Sequence, residues 1–325
     1  MTGIPKKPFV YGDWETILDK HQIASQNISC GQVVDHCFFQ DQTGTWQAWV
    51  QIRDTEIGRV FTRWEQSNSF HSAPWTPRGI CWKADHPAGE SVGTSPHEDV
   101  IQAPYVLRDG AQYLLVYGGG PIEPGDETRQ VCLGRSSDGI SFVRERNADG
   151  FSRIAIGPHH AADAFLLKHN DEYLLYVGTQ HFTVGNAQSA VMIRKSRNLR
   201  DWSEPRVVHY GGTCGTHTHS SQSIFVCFLD GYFYLFKMGW SSDERTAVYR
   251  STDPEHFGLG DDALIAVLNA SAAEIINSNG QWYLSSLIIP DYSGVKVAPL
   301  KWVEDVEHDA AQDGESAGAS PPPVS

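Results

Sequence analysis

One short phrase recurs five times along this 325-residue chain: a polar or small residue, an apolar strand, a tight turn, then an aromatic strand. The copies are VDHCFFQDQTGTWQAWV (Val34 to Val50), QAPYVLRDGAQYLLVY (Gln102 to Tyr117), ADAFLLKHNDEYLLYV (Ala162 to Val177), QSIFVCFLDGYFYLF (Gln222 to Phe236) and AAEIINSNGQWYLSS (Ala272 to Ser286). Apolar alternation with a period of two marks half-buried strands, and an Asp-Gly or Asn-Gly type turn between two of them closes a hairpin. Copies that begin 50 to 70 residues apart are one supersecondary unit repeated, so the repeat dictates the fold. A second half follows several hairpins, a strand, a Ser/Asp turn and an aromatic: GRSSDGISF (Gly134 to Phe142), RKSRNLRDW (Arg194 to Trp202) and YRSTDPEHF (Tyr249 to Phe257). RVFTRW (Arg59 to Trp64) is a reduced version in the first unit, and VKVAPLKW (Val295 to Trp302) closes the last. The trailing aromatic is expected to plug the apolar layer between neighbouring units. No segment of helical length carries a 3.6-residue period. The expected class is all-β, a five-bladed β-propeller with four-stranded antiparallel blades around a central channel.

Two regions fall outside the repeat. Residues 1–30 are expected to form an N-terminal arm or a ring-closing strand, and residues 31–303 the propeller. Residues 304–325 turn acidic and end in AQDGESAGASPPPVS, too poor in apolar side chains to order themselves, and read as a disordered tail. A net charge of −14 disfavours nucleic acid and anionic membrane as partners. No apolar run is long enough to span a bilayer. The opening MTGIPKKPFVYGDWETILDK has neither the apolar core nor the cleavage site of a signal peptide, so a cytoplasmic location is expected. The six cysteines (Cys30, Cys37, Cys81, Cys132, Cys214 and Cys227) show no C-x-x-C spacing and read as reduced thiols. Nothing in the sequence sets an oligomeric state.

In a propeller the innermost strands line the channel, so the residues that open them meet at its mouth. Here they are Asp35, Gln102, Asp163, Gln222 and Glu274. Aspartate is depleted from strands, so Asp35 and Asp163 just ahead of apolar strands require a reason. One reason is a cap at the blade entrance. The other is chemistry: carboxylates gathered against apolar walls push one another's pKa values apart, which is how acid and base roles are divided in glycoside hydrolysis. Histidines also gather in the channel-side segments: His36, the pair His159 and His160, His181, His217 and His219. Neutral imidazoles there would hold sugar hydroxyls, serve the structure, or ligate an axial metal ion. Gly118 to Gly120 and Gly211-Gly212 lack the lysine and helix of a phosphate cradle and read as tight blade exits.

The blade phrase, the Ser-Asp-x-x-x-aromatic second half and the closing VKVAPLKW resemble the five-bladed propeller glycoside hydrolases. These are the arabinanase/xylosidase family 43, the invertase/fructosidase family 32 and their relatives. The resemblance covers about residues 30–302. It implies a glycosidase acting on a plant- or algal-type oligosaccharide, with no required cofactor. The lack of an evident export signal points to a substrate already cut to small oligosaccharides and imported, and so to a narrow pocket and exo-action. The resemblance also implies Asp35 as general base, or as nucleophile in a retaining member, and Asp163 as the residue that tunes the proton donor and orients the substrate. The donor position, a glutamate opening blade four in such enzymes, is Gln222 here, and an amide cannot donate a proton as an acid. Glu274 and His219 are the candidate replacements, with Glu98 ranked below them. His36, Gln102, His160, His181, Gln222 and Trp240 are the candidate substrate contacts. Two other classes compete: a propeller that binds carbohydrate without cleaving it, and a histidine- or metal-assisted glycan-cleaving enzyme on the same fold.

Overall fold

The structure is a computed structural model that describes residues 3–24, 26–72, 75–91, 101–120, 129–155, 161–240 and 244–305. Five antiparallel sheets are arranged as a five-bladed propeller, and the five hairpin phrases are the two inner strands of the five blades. The innermost strands are Gln32–Gln40, Gln102–Asp109, Ala161–His169, Gln222–Leu229 and Ile275–Ser278. Their partners are Trp46–Thr55, Gln112–Gly119, Glu172–Thr179, Tyr232–Met238 and Gln281–Leu287. Third strands follow at Gly58–Gln66, Gln130–Ser136, Ala190–Ser196, Thr246–Ser251 and Gly294–Glu304. Blades one, three and four finish with the outer strands Thr76–Lys83, Arg206–His209 and Leu264–Leu268. In blade two the outer edge is split between Val143–Arg144 and Arg153–Ala155.

Blade five is closed by the other end of the chain. Lys6–Val10 pairs antiparallel with Gly294–Glu304, Pro8 opposite Trp302, and Glu15–Asp19 pairs with the same strand nearer its start. The described residues among the first thirty therefore belong to the propeller, carrying two of its strands and the short helix Lys20–Ala24. At the far end Glu304 belongs to the closing strand. Asp305 is 4% exposed and ion-paired to Arg250 and Lys7, both at 3.0 Å. Glu304 and Asp305, assigned to the tail by composition, are therefore held in place: the backbone of Glu304 pairs with Lys6, and the Asp305 side chain finds its partners in the N-terminal strand and blade four. Residues 306–325 lie outside the described residues.

The second-half turns work as their chemistry dictates. Ser136 Oγ accepts the Gly139 N–H at 2.9 Å, while Asp138 Oδ1 accepts those of Ile140 (2.7 Å) and Ser141 (2.8 Å). Ser196 and Asn198 repeat the pattern with Leu199, Arg200 and Asp201. Each turn delivers an aromatic to the preceding blade. Phe142 lies 4.8 Å from Trp49 of blade one, Trp202 packs with the buried cluster that spans blades two and three, and Phe257 faces Tyr176 of blade three at 6.3 Å. Burying one such side chain is worth about 1.5–3 kcal/mol, so the repeat supplies the glue between blades.

Candidate active site

The site follows from an irregularity shared by the innermost strands. Each of the first four loses register with its partner near its start: between Val33 and His36, Gln102 and Tyr105, Ala162 and Ala164, and Gln222 and Phe225. Such bulges bend a strand and re-aim its side chains. Inside three of them a non-glycine residue adopts left-handed backbone: Ala103 at φ 50°, Asp163 at 51° and Ser223 at 49°, with Ala272 of blade five at 52°. This conformation turns amides across the blade boundary. Ala103 N–H donates to Gln51 Oε1 of blade one at 2.9 Å, and Ser223 N–H donates to Asp163 Oδ2 of blade three at 2.8 Å. Ala272 N–H reaches Met238 Sδ of blade four at 3.2 Å. The strain therefore sits where it aims polar groups at the axis.

Above these bulges opens a cavity of about 510 Å³, within the range of small-molecule sites. Asp35, Asp163, Gln102 and Gln222 line it, together with Ser223, His181, His219 and Trp240. Arg53, Arg59 and Arg129 complete its polar wall, with Gln51, Gln180 and Tyr292. Beneath it runs a narrow passage of about 40 Å³ that shares Asp35 and Asp163 and is lined further down by His36, Glu274, Tyr105 and Phe225. Tyr105, Phe165 and Phe225 stand two residues past the left-handed position in blades two, three and four. Their rings pack 4.1 Å (Tyr105–Phe165) and 4.8 Å (Phe165–Phe225) apart, forming an aromatic floor.

The four opening residues Asp35, Gln102, Asp163 and Gln222 are brought together on the cavity, and Glu274 is not. It lies in the passage below, where burial raises its carboxyl well above the usual range and the charge of Asp35 adds to that. His36 is also below the cavity wall: it is 4% exposed and bonded through Nε2 to Ser285 Oγ of blade five at 2.8 Å. Burial lowers its pKa to about 4, so it stays neutral and ties blade one to blade five. His181, His219 and Trp240 are on the cavity, and the His219 and Trp240 rings stand perpendicular with their centroids 4.6 Å apart. Burial, then the neighbouring His217 and His181, hold the His219 pKa below its ordinary value. His160 and Glu98 lie outside the described residues.

The two aspartates differ in protonation. Burial raises Asp163 to about 7, with the negative charge of Asp35 as the second cause, against the opposing Ser223 N–H and the Arg129 and Arg59 guanidiniums. Burial also raises Asp35, but Arg59, Arg53 and the Ala103 N–H pull it back. Asp35 is thus the first of the pair to ionise, and Asp163 holds its proton into the neutral range. Reading only the openings of the inner strands missed Arg53, Arg59, Arg129, Gln180 and Tyr292, which sit where the second strand of a blade passes into the third. Among the described residues no three His, Cys, Asp or Glu side chains are grouped as a cation site would require.

No family model matches the sequence, and no curated protein matches it. The fold is shared with solved glycosidases. A thermostable family-43 glycoside hydrolase superposes with a TM-score of 0.62 at 12% identity, over 83% of this chain and 89% of that one. A GH43_1 enzyme from Xanthomonas citri, also solved with xylose and with xylotriose, gives 0.60 at 15% identity over 86% of this chain and 92% of its own in the unliganded structure. A GH32 beta-fructofuranosidase from Bombyx mori gives 0.59 at 16% identity, over 89% of this chain and 63% of that one. These likenesses establish the five-bladed propeller.

Proposed function

We propose that the protein is a glycoside hydrolase acting on an oligosaccharide, with the cavity over Asp35 and Asp163 as its active site. The observation that carries this reading is the pair of carboxylates brought to one cavity at the channel mouth in unlike surroundings, Asp35 near the Arg59 and Arg53 charges and Asp163 taking the Ser223 N–H. Asp35, beside Arg53 and Arg59, is the base. It takes a proton from the water whose oxygen bonds to the anomeric carbon, while the bond from that carbon to the leaving oxygen breaks. The leaving oxygen needs a proton, and Gln222 cannot give one. Asp163 can, because at about 7 it is half protonated at neutral pH. His219 is a second source favoured by its place on the cavity wall, although its lowered pKa leaves little imidazolium at pH 7. The solvent-facing ring of Trp240, 48% exposed, offers a platform for a sugar face. The aromatic floor supports a dead-end pocket and so exo-action. That the Xanthomonas citri enzyme of the same fold holds xylose and xylotriose supports an oligosaccharide as ligand.

The test is turnover on a panel of xylo-, arabino- and fructo-oligosaccharides and their uronate-bearing relatives. Wild-type protein releases sugar from at least one of them, and Asp35→Asn lowers that kcat by about 10²–10⁴-fold without a loss of Tm. If calorimetry detects binding across the panel but no sugar is released, the propeller binds carbohydrate without cleaving it and the hydrolase reading is wrong.

A further inference from the structure

The chain as a whole carries a net charge of −14, yet its cavity is lined by three guanidiniums, Arg53, Arg59 and Arg129, against two carboxylates. One of those carboxylates, Asp163, keeps its proton into the neutral range. The site is therefore an electropositive well in an acidic molecule. Two of the arginines stand together at one end of it. Arg53 closes the second strand of blade one and Arg59 opens the third, and the two side chains are near enough for each charge to oppose the other. Their bonds are to neutral amides: Arg53 Nε donates to Gln32 Oε1, and Arg59 Nη1 reaches Gln102 Oε1 at 3.5 Å. Among the described residues neither forms a direct ion pair, and both line a recess of about 390 Å³ that adjoins the cavity. Gln32, Thr55 and Gly58 share this recess, as does the exposed Asp54, whose charge acts on Arg59 along with those of Asp35 and Asp163.

Arg53 and Arg59 repel each other, and Asp35, which feels both charges, is in direct ion-pair contact with neither, so an arriving anion still lowers the energy of the pair; guanidiniums match planar or tetrahedral oxyanions bidentately. We propose, on the premise that the cavity binds a glycan, that this glycan is acidic: Arg53 and Arg59 receive the carboxylate of a uronic acid or the sulfate of an esterified sugar next to the bond over Asp35 and Asp163. The anion also offsets the repulsion between the two arginines, so recognition and site stability are coupled.

The probes are D-glucose, D-glucuronate and D-glucose 6-sulfate, which differ only at C6, each titrated calorimetrically into the full-length protein at low ionic strength. The expected result is that one of the acidic sugars binds about tenfold or more tightly than glucose, as a charge-assisted pair implies, and that added salt erodes the difference. Preference for glucuronate identifies a uronate, and preference for the sulfate identifies an esterified sugar. Arg59→Lys keeps a charge but loses the fork and is expected to weaken the preference; Arg53→Gln with Arg59→Gln is expected to abolish it in a protein that still unfolds in one sharp thermal transition. Equal binding of all three sugars, no binding of either acid at millimolar concentration, or a preference that survives the double variant each overturns the proposal. Acid-selective binding without turnover would leave it standing while refuting the hydrolase. Turnover of neutral oligosaccharides without acid selectivity would do the reverse.

Discussion

Asp163 combines three features on one residue: left-handed backbone, a carboxyl that takes the Ser223 N–H, and a proton kept to about pH 7. Glu274, deeper on the axis, is raised too, but it meets the passage and not the cavity. The two residues should therefore respond differently to amide replacement. Asp163→Asn is expected to remove most of the turnover, and His219→Ala to cost less than tenfold. Glu274→Gln should leave turnover near wild type and alter stability instead. Because folding raises its pKa, the stability linked to Glu274 is full at low pH and is lost as pH rises towards its folded value. The glutamine variant lacks that loss. Its Tm advantage over wild type should grow by a few degrees between pH 5 and pH 8 in thermal melts; a constant gap would show that Glu274 does not titrate this way.

At the scale of the element, the hairpin and the bulge divide the work. Hairpin positions were legible in the sequence because alternation and turn residues are local signals. Bulges were not, since a left-handed Ala103 or Ser223 leaves no mark in composition. The arginines were hidden for a related reason: Arg53 and Arg59 flank the turn between strands two and three, which returns to the same mouth as Asp35 only because the aromatic strand runs back there. His36 sits below the cavity wall because neighbouring strand residues point opposite ways, and the bulge decides which way. Outside the site, blade two rests on a buried pair. Glu90, fully buried, accepts from Arg144 Nε at 2.9 Å and Nη2 at 2.8 Å, with Ser152 Oγ at 2.6 Å and Tyr117 as further donors. Arg144→Met leaves that carboxylate without its cation and is expected to cost about 3–5 kcal/mol in denaturant melts. Phe142→Ala, which empties the layer between blades one and two, should cost a similar amount. A change below 1 kcal/mol in either would contradict the packing described.

For the whole molecule, closure joins the two ends of the chain. Lys6–Val10 completes the outer part of blade five, and Lys7 and Arg250 hold Asp305 against it. Removing residues 1–10 should expose the edge of Gly294–Glu304 and lower Tm well beyond what any single surface change does, with loss of a sharp transition. The repeat made the five blades legible from sequence, because each copy carries its own turns and aromatic. How the chain closes was only half legible, since a strand that pairs across nearly three hundred residues has no local signature. The account stands most directly on the pH dependence of kcat/KM for the best oligosaccharide of the panel. A bell-shaped profile is predicted, falling on the acid side as Asp35 gains a proton and on the alkaline side near pH 7 as Asp163 loses its own, with the alkaline limb displaced in Asp163→Asn. A rate that stays level from pH 6 to about pH 9, or an alkaline limb unmoved in Asp163→Asn, would contradict it.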